Sequence, residues 1–350
     1  MRELADKNGL LIGCAVATDP LGAMMRDGPT PYSTVLAEQF NIITAENATK
    51  FGHLSTGPGA YDWSLADALF DFAQRHRMQM RFHTGLWHNQ LPTWLDESKH
   101  RSNEIAAIAR DHLAAVGRRY GDRMYCWDVV NEPISDKPDQ PGADSGPLRD
   151  TIWKRALGDD YLATVHHWAH EAAPHAKLVL NDYGTDIAGA KTDALYAVVN
   201  DLLARSVPLH AVGFQMHLLH GQRYDPSAVT ANFQRFADLG VEIHITEMDV
   251  AIAPMSGDRQ SRLKQQAQAY RDVLAAAMKV KGFTVFQTWG FTDRHSWVPK
   301  FTKCDDAALP LDENLLPKPA YFALREALQQ AGQSHMPFPV PLPSDPGGRG

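Results

Sequence analysis

Residues Met124–Pro133 read MYCWDVVNEP. Apolar and aromatic side chains run up to Asn131 and Glu132, and Pro133 stops the run. This is the pattern of a buried strand that carries a carboxylate at its open end. A carboxylate in that position costs free energy unless it is hydrogen-bonded or has chemistry to perform. Taken alone, N-E-P fits a satisfied structural glutamate. Val241–Val250, reading VEIHITEMDV, repeats the arrangement with Glu247. Two core strands with the same kind of ending indicate a sheet whose open edge is a site.

The chain holds eight strand-like runs: Leu10–Val16, Asn41–Glu46, Met80–Trp87, Met124–Glu132, Lys177–Tyr183, Ala211–Leu218, Val241–Val250 and Gly282–Gly290. Amphipathic helical segments separate them, among them Ser64–Arg77, Asn103–Tyr120, Leu148–Ala172, Lys191–Arg205, Pro226–Leu239, Gln260–Val280 and Lys318–Gln330. In Pro226–Leu239 the residues Val229, Phe233, Phe236 and Leu239 share one face. Pro226 suits a first turn, and Gly240 suits a stop. Alternating strands and helices in a chain of 350 residues predict a single α/β domain, a (β/α)8 TIM barrel with its site at the C-terminal ends of the strands. An open doubly wound sheet would carry a Gly-rich phosphate turn after its first strand, and ATDPLGAMM after Val16 has none. The barrel is expected over residues 1–335. The Pro- and Gly-rich tail 336–350, MPFPVPLPSDPGGRG, is expected to be an extended or disordered end.

Composition narrows the class further. A net charge of −7 without a basic block argues against a nucleic-acid partner. No run is long and apolar enough to cross a membrane. Three cysteines make no disulfide framework, and Cys14 and Cys126 read as buried free thiols. MRELADKNGLLIGCAV has no signal pattern. Export with a signal already removed is the favoured expectation, a cytoplasmic location is the alternative, and a monomer is expected.

If the barrel is right, polar residues should collect at the C-terminal strand ends. They do. The second strand ends in Glu46 and Asn47, with Lys50 a turn later. The third gives His83, Trp87, His88 and Gln90; the fifth ends Asn181-Asp182-Tyr183. The sixth presents Gln215 and His217, the seventh Glu247 and Asp249, and the eighth Trp289, then Asp293 and Trp297. A period of two places Gln215 with His217, Glu247 with Asp249, and His83 with Trp87. Trp87, Trp289, Trp297 and Tyr183 offer flat surfaces to the C–H faces of a sugar, and the Asn, Gln, Lys, Glu and His side chains offer hydrogen bonds to its hydroxyls. Paired glutamates are what glycoside hydrolysis needs. The histidines His83, His88, His217 and His244 have no metal-ligand spacing, and G-x-S-x-G is absent. No cofactor or metal is therefore expected.

The ordered set TAENATK (Thr44–Lys50), HTGLWHNQLPTW (His83–Trp94), WDVVNE (Trp127–Glu132), NDY (Asn181–Tyr183), GFQMHL (Gly213–Leu218), HITEMDV (His244–Val250) and WGFTDRHSW (Trp289–Trp297) resembles the endo-β-1,4-xylanases of glycoside hydrolase family ten. The resemblance runs from Gly13 to Leu324. It implies that Glu132 is the acid/base and Glu247 the nucleophile of a retaining double displacement on xylan or xylo-oligosaccharides. It implies that Asn131 holds the sugar 2-hydroxyl and that His217 contacts Glu247 with Asp249 behind. Glu46, Asn47, Lys50, His83, Trp87 and Gln90 would line the glycone side, Trp289 and Trp297 the cleavage subsite, and Tyr183 the aglycone side. Gln215 completes the substrate contacts. Retention requires the two carboxyl groups about 5–5.5 Å apart. Glu132 is expected beside Trp127. Phe51, Gly85 and His295 depart from the usual pattern and are expected to bear on subsite affinity. A cellulase or mannanase on the same barrel, or a non-catalytic carbohydrate-binding protein, is the competing expectation.

Overall fold

The barrel strands are short, and seven of the eight are buried along their whole length or all but their first residue. Such strands are stable only when both faces are covered, the condition of a parallel sheet sheathed by helices. The computed structural model describes residues 1–139, 146–223 and 225–331. The strands are β1 Leu11–Val16, β2 Ile42–Ala45, β3 Gln79–Leu86, β4 Cys126–Asn131, β5 Lys177–Asp182, β6 Ala211–Phe214, β7 Glu242–Val250 and β8 Phe283–Thr288. Each pairs in parallel with the next. β8 also pairs with β1, Leu11 opposite Val285, which closes the barrel. The expected (β/α)8 TIM barrel is the fold. The tail 336–350 lies outside the described residues.

Helices fill the connections. Pro226–Ala237 starts with a proline in its first turn and an Asp225 side-chain cap, and Gly240 follows with φ 92°. Its Val229, Phe233 and Phe236 are buried. The expected single helix Leu148–Ala172 is instead two, Ile152–Leu157 and Tyr161–Ala172. Gly158, at φ 84°, ends the first through an N–H bond to the Lys154 carbonyl. The apolar periodicity on either side masks this break in the sequence.

Inside the barrel, Leu11, Ile42, Cys126, Val179, Ala211 and Val285 form an apolar floor. Cys14 and Cys126 are buried free thiols, as expected. Arg81 and His244 come from the two remaining strands, with Arg81 Nη1 3.1 Å from His244 Nδ1. A ladder of charged and polar groups passes through this pair. Below it, Lys177 Nζ donates to Tyr125 Oη at 2.8 Å and to Glu242 Oε1 at 2.5 Å, and Glu242 Oε2 faces His244 Nε2 at 3.3 Å. Above it, Arg81 Nε donates to Asp128 Oδ2 at 2.8 Å, and His83 Nδ1 lies 2.9 Å from the same oxygen. Burial opposes charge on Glu242, but His244 and Lys177 outweigh it and bring its carboxyl down to about 2. Burial, reinforced by Arg81, lowers the His244 imidazole against the pull of Glu242. A neutral His244 can therefore accept from Arg81 at Nδ1 and donate to Glu242 from Nε2.

Candidate active site

Glu132 follows the last residue of β4. Its backbone is left-handed, with φ 57°, and its N–H donates to the Asn181 carbonyl at 2.7 Å. A residue with a Cβ holds that conformation at a cost of about 1–3 kcal/mol, so the surroundings must enforce it. The turn directs the side chain over the barrel mouth. Oε2 accepts from Trp87 Nε1 at 2.8 Å, and Oε1 from Gln215 Nε2 at 3.1 Å and Asn131 Nδ2 at 3.2 Å. The tryptophan beside Glu132 is thus Trp87. Trp127, expected in that place, is fully buried on the outer face of the sheet, its ring against Phe82 at 5.9 Å, because its neighbour Asp128 points inward.

Glu247 reaches the same mouth from β7 by a different device. Ile245 pairs with Phe286 and Met248 with Thr288, so β7 carries one residue more than β8 over this step. Such a bulge re-aims side chains. Thr246 and Glu247 consequently both touch the Asn181 amide: Thr246 Oγ1 donates to its Oδ1 at 2.8 Å, and its Nδ2 donates to Glu247 Oε1 at 2.8 Å. The same Nδ2 also meets Asn131 Oδ1 at 2.8 Å. Two amides thereby link the two carboxyl groups. Gly213 leaves room for this arrangement, since a Cβ there would stand 2.3 Å from Asn181 Oδ1.

On its other side Glu247 Oε2 faces His217 Nε2 at 3.3 Å, and His217 Nδ1 faces Asp249 Oδ1 at 3.0 Å. Asp249 Oδ2 accepts from Trp297 Nε1 at 2.7 Å. Burial would lower the imidazole, but Asp249 and Glu247 outweigh it and raise it to about 10. Burial pushes Glu247 up, yet His217 and His83 hold its carboxyl below the usual range. Glu247 therefore stands as an anion beside a cation. The donors within hydrogen-bonding reach of Glu132 are uncharged amide and indole N–H groups. Gln215 and His217 do share the mouth, though not through strand alternation. β6 ends at Phe214, Met216 takes φ 62°, and His217–Leu218 pairs separately with Asp249–Val250.

The remaining expected residues fall into groups. Lys50 Nζ donates to Asn47 Oδ1 at 3.0 Å and lies 4.9 Å from the Trp87 ring and 5.7 Å from that of Trp289. Burial lowers its ammonium, and Glu247, Glu46 and Glu132 counter that. Glu46 is raised by burial against the pull of Lys50 and Asn47. The His83 imidazole meets the Trp289 ring edge-on at 5.1 Å. Trp297 packs against His217 at 5.2 Å and carries the exposed Phe301 on its other side at 4.8 Å. Gln90 is exposed at the rim, bonded to His53. Tyr183 has one ring face covered by Lys191 Nζ at 3.4 Å, and its hydroxyl donates to Asp136 at 2.6 Å.

Four further residues singled out in the sequence have these surroundings. Asp293 is tied to Lys318 at 2.7 Å and to the Leu309 N–H at 2.9 Å, an anchor for the last loop. Gly85 lies under the helix layer, where a Cβ would stand 2.7 Å from the Val129 carbonyl and 3.0 Å from Leu113. Phe51 is buried and stacked on His112 at 3.8 Å. His295 meets Tyr32 edge-on at 5.6 Å. The histidines considered as metal ligands each have separate partners: His83 engages Asp128, His88 meets the Asn89 amide, His244 engages Arg81 and Glu242, and His217 lies between Glu247 and Asp249.

Arg81 and Asp128 were passed over in the sequence, and Asn181 was read only as a polar strand end with no role of its own. Strand period was the available signal, because each stands two residues from an inward neighbour: Asn181 from Val179, Asp128 from Cys126, and Arg81 from His83. Full burial of an arginine and an aspartate is rare without a partner, and the partner here comes from the adjacent strand.

A family model described as glycosyl hydrolase family 10 matches residues 1–327. The chain is 36% identical over 331 residues to endo-1,4-beta-xylanase B of Thermotoga neapolitana, covering 94% of this chain and 92% of that one. Among solved structures, native xylanase 10B from Thermotoga maritima has a TM-score of 0.88 at 34% identity, covering 95% of this chain and 99% of that one. Xylanase 10B from Thermotoga petrophila RKU-1, in complex with xylobiose, has a TM-score of 0.87 at 34% identity, with coverages of 95% and 97%.

Proposed function

The chain belongs to glycosyl hydrolase family 10, a retaining family, and from that premise we propose that it is an endo-1,4-β-xylanase with Glu132 as acid/base and Glu247 as nucleophile. The observation that carries the assignment is the difference between the two carboxyl environments. Glu247 sits against the His217 imidazolium and the Asn181 amide. Glu132 accepts from the Trp87, Gln215 and Asn131 N–H groups. An anion pinned by a cation is suited to attack, and the other carboxyl is left to handle a proton.

In the first step Glu132 gives its proton to the glycosidic oxygen while a Glu247 oxygen bonds to the anomeric carbon. The C–O bond to the leaving sugar breaks, and a glycosyl ester forms. Glu132, now ionised, takes a proton from water, whose oxygen attacks the same carbon. The ester bond breaks and Glu247 is again an anion. Inversion at each step yields net retention. Asn131 is the residue we assign to the 2-hydroxyl, where a hydrogen bond strengthens as positive charge grows on the ring. Lys50, Asn47, Glu46, His83, Trp87 and Gln90 are assigned to the glycone side, Trp289 and Trp297 to the cleavage subsite, and Tyr183 to the aglycone side. Lys191 covers one Tyr183 face, so a sugar would stack on the opposite one.

The test compares reducing-sugar release from xylan, carboxymethyl cellulose and mannan by the native protein and by Glu247→Ala. Activity on xylan that is lost in the variant supports both substrate and nucleophile. Activity confined to another glycan discards the substrate and keeps the mechanism. Proton NMR of early products should show the β-anomer first, and an α-anomer would overturn the double displacement.

A further inference from the structure

Arg149 hydrogen-bonds to neither catalytic carboxylate, yet its side chain is organised around the backbone of Glu132. Nε donates to the Glu132 carbonyl at 3.1 Å and Nη2 to the Ile134 carbonyl at 3.2 Å. Nη1 and Nη2 each reach Asp136 at 3.1 Å, and Nη2 meets Tyr183 Oη at 3.0 Å. The chain brings the guanidinium there by a short antiparallel return. Arg149 N donates to the Pro133 carbonyl at 2.8 Å, Ser135 N to that of Pro147 at 2.9 Å, and Ile134 bridges Leu148.

The backbone it holds is the left-handed Glu132. The two peptide groups flanking the Glu132 Cα are each tied: the N–H to the Asn181 carbonyl at 2.7 Å and the carbonyl to Arg149 at 3.1 Å. Asp136 in turn fixes the guanidinium, and it also takes the Tyr183 hydroxyl and Lys191 Nζ at 2.9 Å. A planar fork with donors on three nitrogens can serve all these acceptors at once; an ammonium cannot.

We infer that Arg149 is a positioning residue for the acid/base: it locks Glu132 in the left-handed turn from which its carboxyl reaches Trp87, Gln215 and the leaving oxygen. The inference rests on the assignment of Glu132 above. It separates two things that a general loss of structure would not. Proton donation to a poor leaving group should suffer, while attack by Glu247 should not.

Arg149→Lys and Arg149→Gln are compared with Glu132→Ala on phenyl and 2,4-dinitrophenyl β-xylobiosides. The burst of dinitrophenolate counts active sites, so misfolded protein is excluded. In both Arg149 variants, kcat/KM per site on the phenyl substrate should fall by about 10–100-fold, a part of the roughly 10²–10⁴-fold a general acid supplies, and stay within about three-fold on the dinitrophenyl one. Equal losses on both substrates, or no loss on either, would overturn the inference. Glu132→Ala must show the same selectivity and be accelerated by azide; if it does not, the acid/base assignment itself falls. If it does and the Arg149 variants do not, only the positioning role falls.

Discussion

Asn181 Nδ2 donates to Glu247 Oε1 at 2.8 Å, and the same nitrogen lies 2.8 Å from Asn131 Oδ1. One amide thus fixes the nucleophile assigned to β7 relative to the residue that precedes the acid/base on β4. A hydrogen bond to a charged group is worth about 1.5–3 kcal/mol. Asn181→Ala should therefore lower kcat on an aryl xylobioside by about 10–100-fold. A change under about three-fold would mean that Glu247 is held by His217 alone.

His217 should make stability depend on pH in the alkaline direction. Its folded pKa, raised to about 10, lies above the ordinary 6.5. Its contribution is therefore complete below pH 6.5 and lost as the pH rises through about 10. The melting temperature of the native protein should exceed that of His217→Asn most at the acid end of this window, and the gap should close towards its alkaline end. A gap that widens with pH would show the imidazole to be neutral in the fold.

Asp128→Asn strands Arg81 inside the barrel without its carboxylate. Removing one partner of a buried pair costs about 3–5 kcal/mol. Thermal unfolding should show a fall of several degrees, larger than that of any exposed pair such as Arg101–Glu104 when it is broken. An unchanged melting temperature would mean that Arg81 finds another anion.

Gly85→Leu adds a large aliphatic side chain beneath the helix layer. In this chain the added carbon would meet the Val129 carbonyl at 2.7 Å and Leu113 at 3.0 Å. Overpacking of this kind costs about 1–3 kcal/mol. Stability should drop while KM for xylan stays constant. A changed KM with unchanged stability would return Gly85 to the subsites.

The barrel was readable because it rests on local signals. Seven strands fall within a residue or two of their expected place, since apolar runs and their breakers mark them; the sixth, expected to run to Leu218, stops at Phe214. Glu132, Glu247, His217 and Trp87 were readable because strand ends in a barrel share one rim. What was not readable depends on pairing between distant strands. The bulge that turns Glu247 inward exists only against β8, and the Met216 kink that brings His217 beside Asp249 exists only against β7. Trp127 and Trp87 are equally plausible neighbours of Glu132 in the sequence. Asp128 decides between them, because its inward place opposite His83 forces Trp127 outward.

The ladder from Lys177 through Glu242, His244, Arg81 and Asp128 to His83 has an implication for how this protein can change. Its buried rungs are mutual partners, so a replacement at His244, Arg81, Asp128 or His83 leaves a neighbour without its partner in the interior. Altered forms reached one substitution at a time should keep these four residues and vary at the rim. A lineage with a different interior must have crossed several positions together. Libraries built to redirect this enzyme would do best to leave the ladder untouched and place their diversity in the loops above it.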